Sequence, residues 1–171
     1  MCYTPQDINE SCLNAPGGAV RFFHIPQSEV VSFGAVTANM IPTITFATGK
    51  KMFEIQFMDE TGGFDENDVG TNNQPAFEFI GKMSLKGNSA DDRAYVNTLR
   101  AGRHVVAMVL NNGQIFLAGT PFKPCYLRKA NRKAGLKIED PNIQELEWYY
   151  KSMEGILEYS GTLASLETVG A

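Results

Sequence analysis

Residues 103–119, RHVVAMVLNNGQIFLAG, decide the fold. The run VVAMVL at 105–110 is too short for an independent helix and rich in β-branched residues, so it reads as a strand covered on both faces. Asn112-Gly113 follows, the dipeptide favoured in two-residue type I′ hairpin turns, where both central positions need φ > 0. Gln114, Ile115, Phe116, Leu117 and Ala118 then return as the antiparallel partner. A hairpin this apolar needs further sheet around it, and the flanking sequence supplies strand signals in both directions.

Upstream, VRFFHI at 20–25 is a strand that Pro26 closes, and residues 30–35 and 43–48 (TITFAT) are β-rich. Residues 52–58 alternate, with Phe53, Ile55 and Phe57 on one face. Residues 76–85 alternate again, setting Phe77, Phe79 and Gly81 opposite Glu78, Ile80 and Lys82. Between them lies DETGGFDENDVGTNNQ, residues 59–74, which carries Asp59, Glu60, Asp65, Glu66 and Asp68 and almost nothing apolar. It is expected to be a long exposed loop at the tip of a hairpin joining 52–58 to 76–85. Loops longer than about 12–15 residues in a compact domain usually serve a function or lack structure.

One helix stands out before the last third of the chain, at residues 90–101. Ser89 can cap it, Asp92 completes a capping box, Tyr95 and Leu99 share a face, and Gly102 ends it. Further on, Leu146, Trp148 and Tyr150 share one face of a strand, whereas Leu146, Tyr149, Tyr150 and Met153 would share one of a helix. The Pro141-Asn142 turn signal and the clustered aromatics favour the strand. These signals together predict a mainly β fold, a β-sandwich or partly open barrel with one flanking α-helix, a long acidic hairpin loop and an extended N-terminal arm. One domain is expected over 1–171: an arm at 1–18, a β core at 19–159 containing the loop 59–74, and a small-residue tail at 160–171.

Composition agrees with a globular chain. At 171 residues and 43% hydrophobic, a core can form without disulfide or metal staples. The three cysteines, Cys2, Cys12 and Cys125, are an odd number with no zinc-ligand spacing, which points to a reducing compartment. No apolar run approaches the ~18 residues of a membrane helix, and the first residues have no leader pattern, so neither a membrane span nor secretion is expected.

The net charge of −4 argues against a protein whose main task is gripping nucleic acid. Its distribution says more. Residues 53–81 contain seven carboxylates and no Lys or Arg, whereas residues 123–137 contain Lys123, Arg128, Lys129, Arg132, Lys133 and Lys137 and no acid. These blocks are either solvated surfaces, or pair within one molecule, or meet between molecules.

Catalytic signatures are weak. His24 and His104 are the only histidines, and both sit in strand-like apolar settings that suit structural roles better than acid–base work. Cys125 lies near Lys123 and Arg128, which could activate a thiol, yet no catalytic context accompanies it. The stretch around Gly49-Lys50 fails as a phosphate loop. A calcium loop starting at Asp65 fails at Val69 and at Ala76, where the bidentate carboxylate belongs. No enzyme activity, metal or cofactor is expected.

An acidic surface that meets the basic surface of another copy makes a heterologous contact, which closes into rings or propagates into filaments. The order of segments also resembles the tube-forming tail proteins of long-tailed bacteriophages and related virion proteins of phages infecting Bacteroidetes-type hosts. The likeness runs from about residue 17 to 161, through APGGAVRFF, TITFAT, KKMFEIQFMDETGGF, AFEFIGKMSLKG, DDRAYVNTLRAG, RHVVAMVLNNGQIFLAG and ELEWYY leading to EYSG. It implies hexameric rings stacked into a virion tail tube that DNA crosses without specific binding, made in the host cytoplasm. By position, 59–74 would be the stacking loop and the arm a contact to the next ring, with other tail or virion proteins as further partners. A tail terminator, connector or hub component shares that layout. Two other classes stay open: a monomeric module binding nucleic acid or an acidic partner through 122–137, and a small hydrolase built on Cys125.

Overall fold

A computed structural model describes residues 17–87, 89–136 and 140–170. The chain forms, in order, β1 (Ala19–Pro26), a 3-10 turn (Gln27–Glu29), β2 (Val30–Phe33), β3 (Met40–Ile41), β4 (Ile44–Phe46), β5 (Phe53–Glu54), β6 (Gly63–Asp68) and β7 (Phe77–Lys86). After these come α1 (Ala90–Ala101), β8 (His104–Leu110), β9 (Ile115–Ala118), β10 (Tyr126–Lys133), β11 (Ile143–Ser152), β12 (Leu157–Tyr159) and α2 (Leu163–Glu167). The protein is mainly β, with several sheets and one main helix.

A six-stranded sheet has the order β3-β12-β9-β8-β1-β5, a four-stranded one the order β10-β11-β7-β6, and β2 pairs with β4. Strand β8 lies near the centre of the larger sheet and is buried from His104 through Val109. The period of two along β1 and β8 divides their side chains between two cores. Phe22, Val106 and Met108 join Phe79, Met83, Leu146 and Trp148 of the four-stranded sheet and Val96 and Leu99 of α1. Phe23, Ile25, Val105, Ala107 and Val109 point the other way, into a core closed by Ile41, Phe46, Met52 and Leu166.

Helix α1 has the expected bounds because its ends are chemically specified. The Ser89 hydroxyl accepts the Asp92 backbone N–H at 3.1 Å, the Asp92 carboxylate accepts that of Ser89 at 3.1 Å, and Gly102 donates to the Leu99 carbonyl. Strand β11 also follows expectation, with Leu146, Trp148 and Tyr150 buried on one face. Along β7, Phe79 and Gly81 are buried and Lys82 is exposed, as the alternation requires.

Four features differ from the sequence reading. The β8–β9 connection is a three-residue loop: Gly113 donates to Leu110, Leu110 to Gln114, and within the loop only Gly113 has positive φ. That is a type I turn followed by a left-handed glycine, and the Asn112 side chain secures it by accepting the Gln114 N–H. Residues 52–58 form no ladder with β7, to which Met58 alone donates, at the Ser84 carbonyl. Phe53 and Glu54 pair with His24 and Phe23 at the edge of the larger sheet, which leaves Phe53 exposed while Met52 and Ile55 are buried.

The partner of β7 is instead β6, cut from the stretch read as one long loop. Pairing runs from Gly63↔Lys82 to Asp68↔Phe77 and continues through Val69→Ala76 to a tight turn at 71–74. Polarity did not preclude a strand here, because β6 is an edge and needs only a few side chains packed. The remaining difference lies in residues 160–171, read as a tail. They include α2, whose Leu166 is fully buried, and Gly170 exchanges backbone hydrogen bonds with Gly49 and Lys50. The arm through residue 16 lies outside the described residues.

Candidate functional site

The acidic residues singled out by sequence occupy one edge. Asp59 and Glu60 sit in the turn before β6, closed by Thr61 donating to the Met58 carbonyl, with Glu60 at φ 60. Asp65, Glu66 and Asp68 lie along β6 itself. The Glu66 carboxylate accepts the Ile156 N–H at 2.7 Å and fills the space beside Gly155, so it stitches β6 to the segment entering β12. Asp68 accepts the Gly70 N–H and shapes the turn, and Asp65 pairs with Lys82 at 3.3 Å, both well exposed.

The basic residues gather on the opposite edge. Arg128, Lys129, Arg132 and Lys133 belong to β10, whose neighbour in the sheet is β11. Lys123 follows the Thr120 turn that precedes β10, and Lys137 lies outside the described residues. Two carboxylates that sequence reasoning missed, Glu145 and Glu147, face these cations from β11. Arg128 pairs with Glu147 and stacks over the Tyr149 ring at 4.6 Å; Lys129 approaches Glu147 at 3.5 Å; Lys133 pairs with Glu145 at 2.6 Å. Burial alone would raise the Glu147 pKa, yet the Arg128 guanidinium, aided by Lys129, holds it below the usual carboxylate range. The signal was present in ELEWYY: once Leu146 and Trp148 point inward, Glu145 and Glu147 must point outward. Arg128, Lys129 and Lys133 therefore do pair within the molecule, with carboxylates of β11.

Cross-strand register places the two edges relative to one another. Tyr126, Tyr149, Ile80 and Asp65 form one row across the sheet. From that row β10 runs onward to Lys133 on one side, while β6 runs to Asp68 on the other. Every step from β10 to β6 is antiparallel, so the two edge strands are antiparallel to each other.

No family model, curated protein or solved structure matches this chain. The groups considered for catalysis are all interior. Cys125 is fully buried, and that burial pushes its thiol up, away from the thiolate a nucleophile needs. His24 and His104 are buried side by side with ring centroids 5.4 Å apart. Among the described residues no three His, Cys, Asp or Glu side chains are grouped to hold a metal ion, and no helix is long and apolar enough to cross a membrane. On the surface Phe122 is 95% exposed at the tip of the 120–123 turn, beside a depression lined by Val31, Phe33, Val36 and Pro121.

Proposed function

We propose that this chain is a structural protein that joins copies of itself into closed rings through the two edges of its four-stranded sheet. We further propose that the rings stack into a virion tail tube, as the likeness to bacteriophage tail proteins implies. In this reading the six- and four-stranded sheets pack as a sandwich with α1 on its flank. One observation carries the proposal: a single sheet ends in an acidic edge, β6, and a basic edge, β10.

An open strand edge is a template for pairing with another chain. Here like edges repel, β6 against β6 and β10 against β10, and only unlike edges attract. A contact of that kind is heterologous and propagates by rotation until it closes. Because β6 and β10 run antiparallel, a copy rotated about an axis along the strands continues the antiparallel ladder without a break. For the two edges to overlap along their lengths, neighbouring copies must be staggered by about four residues. Over four strands that is about one residue per strand, the ratio of an eight-stranded barrel with shear 8 and strands tilted about 36°. Charge steers and sets register, while backbone hydrogen bonds and desolvated side chains supply affinity.

The face of this sheet turned away from the core carries the pairs Lys82–Asp65 and Lys133–Glu145, and Glu147 shared between Arg128 and Lys129. Turned toward a lumen, cations already engaged by carboxylates would hold phosphates more weakly than lone cations and let DNA slide. The same pairing weakens the rival reading of the basic segment as a nucleic-acid module. The test is mass in solution by light scattering together with negative-stain microscopy of the purified chain at low and high salt. Rings or tubes are expected. A strictly monomeric particle at high concentration and low salt overturns the proposal.

A further inference from the structure

His24 and His104 occupy an unusual place for groups that titrate near neutrality. They come from adjacent central strands, β1 and β8, are 6% and 4% exposed, and meet edge to face. Each reaches across to α1 with its Nε2 atom. His104 Nε2–H donates to the Leu99 carbonyl at 2.8 Å, and His24 Nε2 shares a hydrogen bond with the Tyr95 hydroxyl at 3.0 Å. Neither Nδ1 atom has a partner, and the Nε1 of Trp148, packed against both rings, has none either. A proton added to either ring would stand in an apolar enclosure beside the other ring.

The surrounding elements offer that proton no compensation. Tyr95 and the Leu99 carbonyl face the pair from α1, Phe53 from β5 and Trp148 from β11. Glu54, next to Phe53, is taken up by Arg21, and the charged neighbour of His104 in sequence, Arg103, is itself a cation. No carboxylate among the described residues pairs with either ring. Charged rings must therefore reach water, and the elements around them differ in how readily they give way. Strands β1, β8 and β11 are interior strands of their sheets, whereas α1 buries only Val96 and Leu99 and lies alongside the edge strand β10.

We propose that His24 and His104 form an acid-released latch, which holds α1 against the sheets at neutral pH and frees it when the pair is protonated. Burial, with the neighbouring histidine adding to it, pushes His24 down to about 4, and burial also lowers His104 despite its bond to Leu99. A base whose docked pKa lies below its free value near 6.5 favours the docked state above pH 6.5. That preference drains away as pH falls from 6.5 towards 4 and is gone below it. For His24 alone, 2.5 units amount to an about 300-fold change in the docking equilibrium.

Trp148 is the only tryptophan and touches both rings, so its fluorescence reports on the latch directly. The experiment titrates it from pH 8 to 4 alongside amide exchange of the helix 90–101 and of β8 and β9. The expected result is a fluorescence transition between pH 6.5 and 4, with α1 amides losing protection while β8 and β9 keep theirs. His24→Phe with His104→Gln, where glutamine can still donate to Leu99, should abolish it. Tyr95→Phe, at a half-exposed position that leaves the core intact, removes a bond to the neutral ring and should move the transition to higher pH. The proposal is overturned if α1 stays protected to pH 4.5, if α1 and β8 exchange together, if the double variant keeps the transition, or if Tyr95→Phe leaves its midpoint unmoved.

Discussion

Replacing Leu166 by alanine tests the part of the fold least expected from sequence. Leu166 is fully buried in α2, packs into the core with Phe23, Ile25 and Met52, and its carbonyl accepts the Met52 N–H at 3.0 Å. Removing three carbon groups forfeits about 2.4 kcal/mol of transfer free energy at ~0.8 kcal/mol each. The cavity left behind adds to that, but a five-residue helix near the chain end can partly settle into it. The expected loss is therefore about 2–3 kcal/mol, in the lower half of buried leucine truncations. For a domain of this size it lowers Tm by about 5–10 °C. The assay is urea and thermal denaturation at a concentration where scattering shows one species. Leu163→Ala, at a half-buried position, should cost about 1 kcal/mol, and Val169→Ala, 53% exposed, less than about 0.5 kcal/mol. A Leu166→Ala midpoint no lower than that of Val169→Ala would refute the docking of residues 160–170 as part of the core.

Ser89→Ala should cost about 1 kcal/mol in thermal unfolding, because the Asp92 backbone N–H loses the hydroxyl that accepts it, while the distant Thr168→Ala should not touch α1. At the edges, Lys129→Glu with Arg132→Glu should yield monomers by light scattering with unchanged circular dichroism. Adding Asp65→Lys to the same chain should recover part of the assembly, and recovery would be absent if β6 and β10 do not meet. Cys125 should resist alkylation at pH 7 in the native protein and react in urea, read by peptide mass; rapid native labelling would contradict its burial.

Where local chemistry dictated structure, sequence was sufficient. Ser89, Asp92 and Gly102 define both ends of α1, and the runs in β1, β8 and β11 admit few alternatives because both faces, or one strict face, must be apolar. Reading failed where a neighbour decides. Strand β6 exists because β7 offers a ladder to an edge that tolerates charge, something no property of GFDEND announces. Helix α2 depends on a core that includes Phe23, Ile25 and Met52, each more than a hundred positions away. The acidic and basic residues of the candidate site were visible as blocks, but their placement on opposite edges of one sheet follows from a strand order that sequence does not encode locally.

The stitch from Glu66 to Ile156 has a consequence for fidelity. A strand as polar as β6 has little to tell one alignment with β7 from the next, since a shift of one residue costs few buried contacts. Two features lock it. Phe64 packs on Phe79 and Phe116, and Glu66 finds a backbone N–H at one position only. A slip by one residue would turn Phe64 to water, carry Asp65 inward and leave the Ile156 N–H unanswered, three errors from a single displacement. The carboxylate thus works as a key cut for one slot, and every copy of the chain presents its acidic margin in the same alignment to whatever it meets.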